Sequence, residues 1–255
     1  MEYKIFIQTV RAHLESYKNN VLGVKDNGTY RGKGFGHILP NEYERLNLGL
    51  RESEYDLDGS ILKLRGCSPI KLHMDWRHMN SSQVLCIAYF YDFISDKVKL
   101  QKLISTVLNI TAEVKRAGFE YITKDGSNID FVVELENGGM VYFEIKYTEP
   151  EFGIASSGTA EYQKIRRKYH SAVEISDSDY RSQYQLVRNV CLSPNHSNNY
   201  TVFLLPRANS SINKKYDDGL KAIGNIQDFH VQKLYWEDLL EQIPNETVFK
   251  KYFEL

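Results

Sequence analysis

The chain has little of what builds a small stapled scaffold. Its 255 residues include three cysteines, Cys67, Cys86 and Cys191, an odd number with no CxxC spacing. That argues against a disulfide framework and a cysteine zinc site, and it fits a reducing cytoplasm. No excess of either charge is present: 32 Lys and Arg face 33 Asp and Glu, for a net charge of −1. A nucleic-acid binder usually shows a basic surface, so any such contact here rests on a local basic face. No long hydrophobic run exists. The longest, Val84 to Tyr91, is too short to span a bilayer. The first residues, Met1 to Ile7, lack the apolar core of a signal peptide, so no membrane association is expected. There is no internal repeat, low-complexity tract, helix-turn-helix or zinc module.

What is present is ordinary globular material. The chain is 42% hydrophobic and 25% charged, enough for one large domain or a domain plus a lobe. Its 18 Tyr and 12 Phe read as core packing rather than base stacking. Residues 3–18 carry Ile7, Val10, Leu14 and Tyr17 at helical spacing. Residues 19–70 read as loop-rich. Arg31-Gly32-Lys33-Gly34-Phe35-Gly36 offers glycines and bases, but no Gly-Lys-Ser/Thr follows, and a flexible turn is the simpler account. Asn80-Ser81-Ser82-Gln83 opens a helix, with Ser81 or Asn80 as N-cap. If that helix start faces a cleft, its free N–H groups suit a phosphate. His73, Asp75, Arg77 and His78 can line the same cleft. A second helix is expected over 96–117, then strands, a helix over 179–192, and a buried strand at Tyr200 to Leu205. A short helix, a strand over 231–236 and a last helix over 236–243 follow.

The most informative stretch runs from Asn128 to Lys146. Phe131-Val132-Val133 and Val141-Tyr142-Phe143 are β-branched and aromatic runs of strand length. Asn137-Gly138-Gly139 between them is a turn signal. Antiparallel pairing about that turn brings Asp130 level with Glu144 and Lys146. Side chains alternate along a strand, so Glu144 and Lys146 share a face while Ile145 points into the core. Two carboxylates, the Ile145 carbonyl and waters suit Mg²⁺, a hard cation that wants oxygen ligands. Such a metal polarises a phosphodiester and acidifies a bound water. A lysine beside it can orient that water, stabilise the transition state, or act as a base. Cross-strand Glu–Lys pairs are also common as plain surface charge.

Asp130 with Glu144-Ile145-Lys146 resembles the signature of the PD-(D/E)XK nuclease superfamily. Ile129 stands where that signature usually has proline. Gly126 to Phe131, Phe143 to Gly153, Tyr184-Gln185-Leu186-Val187-Arg188-Asn189 and Asn80 to Gln83 resemble one bacterial branch of restriction-endonuclease-like proteins, over roughly residues 30 to 210. The resemblance implies an α/β fold with an αβββαβ restriction-endonuclease-like core. Its central mixed sheet would be flanked by helices and preceded by an N-terminal helical, loop-rich extension. Residues 1–95 would form that lobe and 96–255 the core with its C-terminal elaboration.

The same resemblance implies a Mg²⁺-dependent endonuclease (Mn²⁺ substituting) that hydrolyses DNA, in a restriction or phage-defence role and possible as a homodimer. Lys146, Asp130 and Glu144 would be catalytic, and Asp130, Glu144 and Ile145 would hold the metal. The first core helix of the superfamily often adds a glutamate. Glu113 is the candidate, and Glu120 on the first strand competes with it. Gln185 or Gln183 would support the lysine. Lys164, Arg166, Arg167, Lys168 and Arg188 are the candidates for phosphate contacts, although a charge run is usually a solvated helix face. A non-catalytic DNA-binding or scaffold member of the fold, and a nuclease for RNA or branched DNA, are the alternatives.

Overall fold

The computed structural model describes residues 2–155 and 160–255. Helix α1 (Tyr3–Asn20) buries Phe6, Val10 and Leu14. Two small antiparallel sheets follow: β1 (Gly28–Tyr30) with β2 (Lys33–Phe35), then β3 (Tyr55–Asp58), β4 (Ile61–Leu64) and β5 (Ile70–Lys71). These strands occupy the segment that reads as loop. They are two to four residues long, too short to show a period of two. Helix α2 (Ser82–Ile94) starts at the expected cap, where the Ser81 side chain accepts from the Val84 N–H.

Helix α3 (Lys97–Leu108) ends earlier than its apolar spacing suggests. Asn109 adopts a left-handed conformation with φ 51°, and its N–H donates to the Ser105 carbonyl, which closes the helix. Val114 therefore opens a strand rather than extending a helix. The main sheet contains β6 (Val114–Ile122), β7 (Asn128–Leu135), β8 (Met140–Ile145), β9 (Tyr200–Leu205) and β10 (Val231–Tyr235). Its spatial order is β10-β9-β8-β7-β6. The pairs among β6, β7 and β8 are antiparallel, and β8, β9 and β10 run parallel. Between β8 and β9 lie α4 (Ala160–Tyr169), α5 (Asp177–Ser182) and α6 (Tyr184–Val190). The expected helix over 179–192 is thus two helices, broken at Gln183. Helices α7 (Ser210–Lys221) and α8 (Trp236–Gln242) frame β10.

Alternation on the strands divides the core in two. Val141, Phe143, Ile145, Val202 and Leu204 face a cluster that contains α2 and α8 residues. Phe203 and Leu205 face the other cluster, with Tyr180, Leu186, Val187 and Tyr216. Phe90 of α2 lies over the hairpin, its ring centroid 4.3 Å from Phe131 and 5.4 Å from Phe143. Burying such a ring is worth about 3–5 kcal/mol against alanine. Helix α2 belongs to the same cluster as the sheet, as do Phe6 of α1 and Tyr252. The division expected at residue 95 falls between two helices that share this core.

The segment after β8 is clamped from far along the chain. The Trp236 indole donates to the Lys146 carbonyl at 3.3 Å, and the Tyr147 hydroxyl donates to the Tyr252 carbonyl at 2.7 Å. Among the described residues no helix is long and apolar enough to cross a membrane.

Candidate active site

The hairpin register follows from its turn. Gly138 takes φ 80°, which glycine adopts freely, and Leu135 and Gly139 close the turn. Phe131 pairs with Phe143. One step further, Asp130 comes opposite Glu144. The Asp130 carboxylate crosses to accept from the Ile145 N–H at 2.7 Å. On β6, Phe119 pairs with Phe131 and Tyr121 with Ile129, so Glu120 falls at the level of Asp130. Glu120, Asp130 and Glu144 thus sit at one level across three neighbouring strands.

Glu144 is buried, at 1% exposure, and polar side chains hold both of its carboxylate oxygens. Gln185 Nε2 donates to its Oε1 at 2.7 Å, and Asn189 Nδ2 donates to its Oε2 at 2.6 Å. Lys146 Nζ lies 2.8 Å from Glu144 Oε1 and donates to Gln185 Oε1 at 3.0 Å. The Gly153 N–H also donates to that Gln185 oxygen, at 3.0 Å. Gln185 therefore holds both the acid and the lysine. Burial would push the Lys146 ammonium down, but Glu144, Glu149 and Asp130 outweigh it and hold its pKa above the usual lysine value. Asp130 goes the other way. Burial and the neighbouring Glu144 charge raise its carboxyl well above the usual range, against the opposing pull of Lys146 and the Ile145 N–H.

Other expected residues divide clearly. Glu120 belongs to the cluster's rim. Its carboxylate accepts from Gln83 Nε2 at 2.9 Å and from Asn128 Nδ2. Its backbone has φ 51°, a strained setting for a non-glycine residue. Glu113 does not join the site. It is exposed, lies before β6, and its carbonyl accepts from the Glu136 N–H beside the hairpin turn, at the far end of the strands. The early end of α3 is the reason. Gln183 is also apart. It is 7% exposed, and its amide lies by Gly219 of α7 rather than by Lys146. Arg166 is occupied internally. It donates to the Ile175 carbonyl at 2.9 Å, pairs with Asp177, and covers the Tyr180 ring. Lys164, Arg167 and Lys168 are exposed, while Arg188 is half-buried over Tyr184 and donates to Asn189 Oδ1.

Two residues of the resembling stretches, to which the sequence assigned no role, also contribute. Asn189 stands one helical turn after Gln185, so both amides share a face of α6, a spacing the sequence displays. Glu149 bridges the ends of β8 and α2. It accepts from Ser82 Oγ at 2.5 Å and from the Tyr147 N–H at 2.7 Å. Asn80 Nδ2 donates to Thr148 Oγ1 at 2.8 Å beside it. The start of α2 thus lines a cleft of about 370 Å³ with His73, Asp75, His78 and Glu149. Arg77 turns away, toward Asn41 and the Thr29 carbonyl.

The donors suit a hard cation in type. Asp130 and Glu144 are adjacent carboxylates whose repulsion Lys146 only partly offsets, and a divalent ion would relieve it. Both Glu144 oxygens are held by amides and Lys146, so binding would exchange at least one of these contacts. Among the described residues no group of three or more His, Cys, Asp and Glu side chains is gathered to hold a metal.

A central mixed sheet flanked by helices, with an acid–acid–lysine cluster at the ends of two inner strands, is compatible with a nuclease-like core. The chain matches the family REase-ARP, described as "Restriction Endonuclease associating with ARP", over residues 11–254, and it belongs to that family. The family suggests a nuclease-like role and the hydrolase class. No curated protein and no solved structure matches the chain.

Proposed function

We propose that the chain is a divalent-metal-dependent endonuclease that hydrolyses DNA phosphodiester bonds. The observation that carries this reading is the joint placement of Asp130, which accepts from the Ile145 N–H, beside Glu144 and Lys146, which one glutamine, Gln185, holds together. Asp130, Glu144 and the Ile145 carbonyl would hold Mg²⁺ or Mn²⁺, with Glu120 as the nearest further acid. Bound there, the ion would supply Lewis-acid activation of the phosphate and an acidified water. Lys146, kept charged by its acidic neighbours, acts as a donor that orients the attacking water or steadies charge on the phosphorane-like transition state. That cationic role fits its surroundings better than a base role. Gln185 and Asn189 fix the Glu144 carboxylate, so the acid does not have to be oriented anew in each turnover. Lys164, Arg167 and Lys168 offer a local basic face for the DNA backbone on a chain of no net basicity.

The family description adds an associated component, ARP, which on this reading is a partner of the chain. The decisive experiment incubates supercoiled plasmid with Mg²⁺ and the wild-type protein, or Asp130→Ala, Glu144→Ala or Lys146→Ala. Wild type is expected to nick or linearise the plasmid, and each variant to lose about 100-fold or more in rate. Equal cutting by all four proteins removes the assignment of these residues.

A further inference from the structure

A second cleft, which the proposed reaction leaves unused, opens on the Glu144 side of the sheet. It measures about 330 Å³, within the range of small-ligand sites, which begins near 300 Å³. Tyr121 of β6, Tyr142 of β8 and Tyr169 at the end of α4 line it, with Lys124, His170 and Leu192. Tyr121 and Tyr169 keep 41% and 37% of their surface exposed, and the Tyr121 and Tyr142 rings lie 6.5 Å apart.

The floor is polar but internally satisfied. His170, 2% exposed, lies 3.1 Å through Nε2 from Asp125 Oδ2 and meets the Tyr180 hydroxyl through Nδ1. Asp125 further accepts from Thr123 and Ser127. Its carboxylate is therefore satisfied by hydrogen bonds inside the fold. The basic group in the lining is Lys124, which is exposed, and the exposed Lys168 places its ammonium 4.8 Å from the Tyr169 ring centroid. A cleft with aromatic faces, a satisfied floor and ammonium groups at its edge complements a base and its phosphate. Aromatic faces take any base, because every base has a π-face.

Position ties this cleft to the cluster. Tyr142 precedes Glu144 by one strand repeat, about 7 Å, on the same side of β8. We propose that the cleft receives an unpaired nucleobase next to the scissile phosphate. The preferred substrate is then DNA with a flap, bulge or single-stranded junction at the cut. This inference rests on the nuclease reading above and adds the substrate class.

The test measures binding in EDTA, where cleavage is stopped. The ligands are a paired duplex and the same duplex with a flap, carrying 2-aminopurine at the first unpaired position. Wild type is expected to bind the flap at least about 5-fold more tightly, and stacking should quench the fluorophore. Tyr121→Ala with Tyr169→Ala should abolish both effects. Tyr121→Phe with Tyr169→Phe, which retains the rings, should keep them. Equal affinity for flap and duplex, or an alanine variant that behaves as wild type, overturns the proposal. If plasmid cleavage still depends on Lys146 in that case, the cleft assignment fails while the nuclease reading stands. A wild-type protein that neither binds nor cuts either DNA overturns both.

Discussion

Two lysines lie buried in this molecule, and their surroundings are opposite. Lys146, 8% exposed, sits among Glu144, Glu149 and Asp130. Lys251, 3% exposed, has no acid beside it among the described residues. It donates to the Asn47 carbonyl at 2.5 Å and to Asn47 Oδ1 at 2.9 Å. Burial without a counter-charge pushes its ammonium down to about 7. Asn47 in turn donates to the Trp76 and His78 carbonyls. The Lys251 contact thus supports the turn that carries His73 and His78 toward the α2 cleft. One lysine is kept charged by the acids around it. The other bonds neutral groups and braces a loop. The residue type alone does not separate site from scaffold; the charge of the partners does.

The largest effect is expected at Glu144. Glu144→Ala leaves Lys146 buried without its nearest acid, and about 3–5 kcal/mol of unfolding free energy is expected to be lost. Urea denaturation checks this, and a loss below about 1 kcal/mol would mean that the pair is not a buried one.

Lys251 gives the next effect, through pH. Between about 7 and the ordinary lysine value near 10.5, the unfolded chain holds a proton on this residue that the folded chain has released. Stability contributed at this site therefore rises with pH across that window. Below about 7 both states are protonated and the penalty is full and constant. Comparing wild type with Lys251→Met from pH 6 to 10 should show the rise in the first and its absence in the second. Parallel curves would contradict a depressed Lys251.

The smallest effect lies at Gln185. Gln185→Ala removes a donor from Glu144 and an acceptor from Lys146, which should lower stability by about 1–3 kcal/mol. On the proposed function, plasmid cleavage should fall more than DNA binding, because the amide would position the reacting groups. A variant with intact cleavage would sharpen the comparison by assigning that order to Asn189 alone.

The site was legible in the sequence where local rules fix geometry. The Asn137-Gly138 turn sets the register, and the register sets Asp130 against Glu144. Gln185 was legible because a motif marks it. Glu113 was misplaced because Ile110 and Val114 continue an apolar helical spacing that the left-handed Asn109 interrupts. Arg166 read as a free cation because its partners, Ile175, Asp177 and Tyr180, are set by a tertiary turn that no spacing reveals. Glu149 was overlooked because its partner Ser82 lies far back in the chain. The short strands before α2 carry too few residues to announce themselves.

The clamp on the segment after β8 has a consequence for folding order. The hairpin needs only neighbouring residues and can form early. The backbone of Lys146 and Tyr147 is fixed only when Trp236 and Tyr252 dock, 90 and 105 positions downstream. Contacts of such separation form late, because the intervening loop must close first. A nascent chain therefore carries its acids and its lysine long before it can hold them in register, and this cluster is expected to be among the last parts of the molecule to set.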